Sequence, residues 1–88
     1  MVTLFTRLFL KDLKSINDDD LKNQVSDAII SIENSETLFD LSNVKKMKGH
    51  SDAYRMRIGK YRLGFFYDGQ NVKLARFVKS EKIYNLFP

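Results

Sequence analysis

Apolar positions along this chain recur with two periods, and the switch between them splits it near the middle. Phe9, Leu13 and Ile16 fall at i, i+4 and i+7 with charged residues between them, which is one face of a helix. After the polar break "NDDD" at 17–20, Leu21, Val25, Ala28, Ile29 and Ile32 repeat that spacing and predict a second amphipathic helix ending near "ENS". So short a break predicts an antiparallel helix hairpin. The β-rich "VTLFT" at 2–6 reads as a first strand, and Thr6 can cap the helix that follows.

From Tyr54 onward the period is two. Tyr54, Met56 and Ile58 alternate with Arg55 and Arg57; Tyr61, Leu63, Phe65 and Tyr67 alternate with Arg62, Gly64 and Phe66. Gly59 and Lys60 form a two-residue hairpin turn, "DGQN" at 68–71 forms the next, and "VKLARFV" at 72–78 is a last long strand. Residues 34–53 read as an irregular stretch, pinned to the core by Leu38, Phe39, Leu41, Val44 and Met47. The order is β-α-α-β-β-β, an α+β fold with a helix hairpin packed on one face of a small antiparallel sheet.

Composition narrows the picture. A chain of 88 residues fits one domain, 1–88, and its 43% hydrophobic content with seven Phe and four Tyr supports one two-layer core. The absence of cysteine excludes disulfides and thiolate metal sites. Arg7, Lys11 and Asp12 interrupt the apolar N-terminal stretch, so it reads neither as a secretory signal nor as a membrane span, and the chain is expected to be cytoplasmic. Asp18, Asp19 and Asp20 read as first-turn acids that accept free N–H groups and complement the helix dipole, not as a metal cluster.

Charge is split unevenly. Residues 1–44 carry four basic and eight acidic side chains, whereas residues 45–88 carry eleven basic and three acidic ones. A basic half interleaved with aromatics points to a polyanionic partner. Strand alternation gathers Arg55 and Arg57 on one face of the sheet, and the tight turn brings Arg62 across from them. Like charges placed opposite one another repel, so such a cluster is tolerated where solvent screens it or an anion binds. The planar donor fork of arginine suits phosphate oxygens. Gly64, with no side chain, leaves room on that face for a concave site.

"VKKMKGHSDAYRMRIGKYRLGFFYDGQNVKLARFV", followed by "KIYNLFP", resembles the RelE/ParE superfamily of type II toxin–antitoxin toxins, RelE-like branch, over essentially the whole chain. The resemblance implies a ribosome-dependent endoribonuclease that cleaves messenger RNA in the A site. Attack by a ribose 2′-OH on the adjacent phosphate would leave a 2′,3′-cyclic phosphate and a 5′-OH, with no metal or cofactor. It implies as partners a cognate antitoxin, the 70S ribosome and messenger RNA. Arg55, Arg57, Arg62 and Tyr84 match catalytic positions of the family. Where many compact members end "HRKDIY", this chain has "KSEKIY", with Lys79 at the histidine position and Ser80 at the arginine position. Lys79 is therefore the fifth catalytic candidate, while Lys45, Lys46, Lys48, Arg76 and Lys82 are candidate RNA-backbone contacts. His50 lies in a turn where the family pattern has no catalytic residue. Two alternatives stay open: a ParE-like inhibitor of DNA gyrase, and a degenerate member that binds its antitoxin without cleaving RNA.

Overall fold

One hydroxyl joins the first strand to the first helix. Thr6 follows β1 (Val2–Phe5) and precedes α1 (Arg7–Lys14); its Oγ1 accepts the Phe9 N–H at 3.2 Å and donates to the Leu74 carbonyl at 2.9 Å. The same side chain thus caps the helix and pins it to the sheet. The computed structural model describes all 88 residues, Met1–Pro88. After α1 come α2 (Asp19–Asn34), a 3-10 turn (Leu38–Asp40), β2 (Val44–Lys46), β3 (Ala53–Ile58), β4 (Tyr61–Tyr67), β5 (Asn71–Lys79), a second 3-10 turn (Ser80–Lys82) and α3 (Ile83–Leu86). Asp18 caps α2 by accepting the Leu21 N–H at 3.2 Å, and Asp19 and Asp20 occupy its first turn, in the capping role read from the sequence.

The sheet order is β1-β5-β4-β3-β2. Both α1 and α2 lie on one face, where Phe9, Ile16, Val25 and Ile32 meet Met56, Ile58, Leu63, Phe65, Val72, Leu74 and Phe77. The expected antiparallel sheet is a mixed one, because β1 pairs parallel with β5 at the sheet edge. Alternation identifies a strand but does not name its neighbour or direction. The irregular stretch also contains a strand: β2 pairs antiparallel with β3 and is only three residues long. Leu38 and Met47 are buried as expected, but Phe39 is 99% exposed and does not pin this segment.

The second face is not bare. Met47, Ala53, Ala75 and Val78 form a smaller core with Ile83 and Phe87, which α3 folds back onto the sheet. A bulge makes this possible: Gly64 pairs with Arg76 and Phe65 with Leu74, leaving Ala75 as an extra residue in β5. Leu74 and Phe77 therefore both face the helices, while Ala75 and Val78 both face the tail. Gly64 does not open a concave site. A Cβ there would lie 2.6 Å from the Phe87 ring, so the glycine makes room for the returning tail. No helix is long and apolar enough to cross a membrane.

Candidate functional site

Alternation and register together bring four cations to one place. Lys45 on β2 is the partner of Arg55 on β3, and Arg57 on β3 is the partner of Arg62 on β4. These four side chains, with Ser42 and Asn43, line an open cleft of about 340 Å³ that no apolar residue enters. Asn43 is locked to β3 by two hydrogen bonds, donating Nδ2–H to the Arg57 carbonyl at 2.9 Å and accepting the Arg57 N–H at 3.0 Å. The wall of the cleft is therefore backbone-fixed, not a loose loop.

The three arginines are held differently. Arg55 donates to the Lys46 carbonyl at 3.1 Å, and its guanidinium lies 5.3 Å from the centroid of the Tyr84 ring. Arg62 folds back on its own turn, donating to the carbonyls of Gly59 at 3.1 Å and Tyr61 at 2.8 Å. Arg57 makes no side-chain hydrogen bond, so its whole donor fork is free. No carboxylate balances this cluster, because the single ion pair of the molecule, Arg76 with Asp12, lies outside the cleft. Such a site attracts a dianion or phosphodiester and repels a metal cation.

Tyr84 reaches the same face through α3. Ile83 and Phe87 on either side are buried, whereas Tyr84 is 61% exposed, so the tail docks by its neighbours and leaves the Tyr84 ring free beside Arg55. Of the five catalytic candidates, the structure brings Arg55, Arg57 and Arg62 together in the cleft and sets Tyr84 beside Arg55. Lys79 stands apart. It follows Val78, which faces the tail, and pairs with Tyr61, whose ring stacks on Phe77 in the main core, so its side chain emerges on the helix side.

The RNA-contact candidates divide likewise. Lys45 lines the cleft. Lys46 pairs with Tyr54 and projects from the opposite face, Lys48 lies exposed with His50 around the Gly49 turn, and Lys82 is exposed in the second 3-10 turn. Arg76 is taken up by Asp12, with Nε to Oδ2 at 2.7 Å and Nη2 to Oδ1 at 3.2 Å, and Oδ2 also accepts the Phe77 N–H at 3.0 Å. Its charge is neutralised by α1. Sequence reading missed Ser42, Asn43 and the place of Lys45 within the cleft; the alternation of Asn43 and Lys45 about inward-facing Val44 was the available signal.

No protein-family model matches the chain. A curated protein, Toxin RelE3 of Methanocaldococcus jannaschii, is 35% identical over 89 aligned residues that span the full length of both chains. The crystal structure of the RelB-RelE antitoxin-toxin complex from Methanococcus jannaschii superposes with a TM-score of 0.79 at 34% identity, covering 97% of this chain and 99% of that one. The YoeB dimer from Staphylococcus aureus shares the fold, with a TM-score of 0.72 at 22% identity over 90% of this chain and 94% of the other.

Proposed function

The chain belongs to the RelE family of toxins of toxin–antitoxin systems, and from that premise we propose that it is a ribosome-dependent endoribonuclease that cuts messenger RNA. The observation that carries this reading is the cleft of Lys45, Arg55, Arg57 and Arg62, four cations with no carboxylate among the lining residues. The scissile phosphodiester sits there. The free fork of Arg57 grips two of its oxygens, while Arg55 and Arg62, already oriented by carbonyls, face the charge that grows on the phosphorane. Donors fixed before the reaction need no reorganisation as that charge develops.

The reaction needs only proton movement besides this. The ribose 2′-oxygen attacks phosphorus and loses its proton, the bond to the 5′-oxygen breaks, and that oxygen gains a proton. Tyr84, beside Arg55 and exposed, relays the first proton to solvent water, and the Lys45 ammonium, across the strand pair from Arg55, donates the second. The lining residues include no carboxylate or imidazole to hold a divalent ion, which supports a metal-independent route. Lys46, Lys48 and Lys82 remain exposed cations for ribosomal RNA phosphates. The cognate antitoxin is a RelB-like chain that covers the basic face with acidic side chains.

The test is a reconstituted translation reaction. Messages cut in codon phase, with 2′,3′-cyclic phosphate ends and without added metal beyond that needed by ribosomes, are expected. Intact messages accompanied by gyrase-linked DNA breaks would replace this reading with a ParE-like one. Intact messages and intact DNA, with the antitoxin still bound, would mark a toxin fold that has lost cleavage, as Ser80 at the family's arginine position allows.

A further inference from the structure

Phe39 is the most exposed of the large apolar side chains, at 99%. Scattered apolar exposure is ordinary, but this residue is held unlike a loop tip. Leu38 before it is buried in the main core, and Leu41 after it packs on the same core. Between them the Asp40 carboxylate accepts the N–H groups of Glu36 at 3.1 Å and Thr37 at 3.2 Å, while Leu41 N–H closes the 3-10 turn on the Leu38 carbonyl at 3.0 Å. The backbone is fixed on both sides of a ring that touches nothing. A rigidly presented aromatic loses little freedom when a partner covers it.

Its position indicates the partner. Ser42 and Asn43 line the cationic cleft, and Asn43 is hydrogen-bonded to Arg57. Three residues of chain reach at most about 11 Å, so Phe39 lies within that distance of the cleft wall. A stacked strand advances about 3.4 Å per nucleotide, so that stretch of backbone corresponds to some three nucleotides. Every base has a π-face that stacks on an aromatic ring, whatever its identity.

We infer that Phe39 is a stacking platform for a nucleobase of the same RNA strand whose phosphate occupies the arginine cleft. The inference rests on the RNA-cleaving reading above and adds to it a base subsite at the β2 edge of the sheet. It anchors the strand without reading its sequence, and it sets how far the chain of nucleotides runs past the cut.

The chain has no tryptophan, so Phe39→Trp places a single indole at this site. A dye-labelled single-stranded RNA is titrated against this variant at low salt, with anisotropy reporting binding and indole emission reporting stacking. Emission is expected to fall in step with anisotropy, whereas heparin, a polyanion without bases, binds and leaves emission unchanged. Phe39→Ala is expected to weaken RNA binding about 5- to 150-fold and heparin binding less than about twofold. Saturating anisotropy with unchanged emission overturns the Phe39 subsite alone, as does an equal loss for RNA and heparin in Phe39→Ala. Failure of the unmodified protein to bind the RNA overturns the subsite, whereas intact messages in the translation reaction overturn the RNA-cleaving reading on which it rests.

Discussion

Arg57 and Arg62 face each other directly across β3 and β4, a like-charge pair at a register position where most sheets place opposite or neutral partners. The pair is close to the turn, and only Arg62 is tethered, by the carbonyls of Gly59 and Tyr61. The repulsion disfavours the empty protein, and a bound phosphate would relieve it. Arg57→Ala is therefore expected to raise stability by about 0.2–1 kcal/mol in urea unfolding. The same change should slow message cleavage by about 10²–10³-fold, as for loss of one preorganised donor. Arg57→Lys keeps the charge but not the two-point fork and should rescue binding more than rate.

Cleavage should also separate the two lysines. Lys45→Ala removes a cleft cation and is expected to slow cutting about 10²-fold, the scale of a lost general acid. Lys79→Ala removes a side chain on the other face and should leave single-turnover rates within about twofold, since surface changes away from a site have small effects. Equal losses in the two variants would mean that Lys79 joins the reacting phosphate.

Asp12 serves three donors at once: two nitrogens of Arg76 and the Phe77 N–H. Both side chains of the ion pair are less than one-fifth exposed. Asp12→Ala strands the guanidinium and the backbone N–H together, and is expected to cost about 2–4 kcal/mol in urea unfolding. Arg76→Met should cost less, because it removes the charge instead of stranding it.

Gly64→Ala places a methyl 2.6 Å from the Phe87 ring. It is expected to cost about 1–3 kcal/mol and to make residues 83–88 sensitive to protease. In a Phe87→Leu background the same glycine change should cost markedly less, a non-additivity that a double-mutant cycle measures.

Asp68 accepts the N–H groups of Asn71 at 2.7 Å and Gln70 at 2.9 Å. Those backbone donors, Asn71 first, hold its carboxyl below the usual aspartate range. A carboxyl whose acidity is strengthened by folding stabilises the native state above its unfolded pKa, and that contribution fades as pH falls through the folded value. Wild type and Asp68→Ala should thus differ in melting temperature at neutral pH and converge in acid below the ordinary aspartate range. A gap that persists unchanged in strong acid would locate the effect in turn geometry instead.

Much of this was legible locally. Thr6, Asp18 and the helix stripes announce their elements within a few residues, and alternation with the tight Gly59–Lys60 turn put Arg55, Arg57 and Arg62 on one face. What stayed hidden depends on long-range pairing. Asp12 and Arg76 are 64 residues apart, so nothing near Arg76 shows that its charge is already matched. Phe87 gives no sign in sequence that it will rest on Gly64, and β2, three residues long, offers no more than one alternation about Val44. Phe39 looked like core because its neighbours are core; the 3-10 turn rotates it outward while burying Leu38.

The bulge at Ala75 has a consequence for how the protein can change. It acts as a phase shifter within one ribbon: upstream, even-numbered Val72 and Leu74 face the helices; downstream, odd-numbered Phe77 does, with even-numbered Val78 against the tail. Losing that single residue by deletion would turn one half of the strand over, exchanging Val78 with Lys79 or Val72 with Lys73 between faces. Evolution can therefore recolour the cleft by substitution, but single-codon insertions or deletions in this strand should be nearly closed to it.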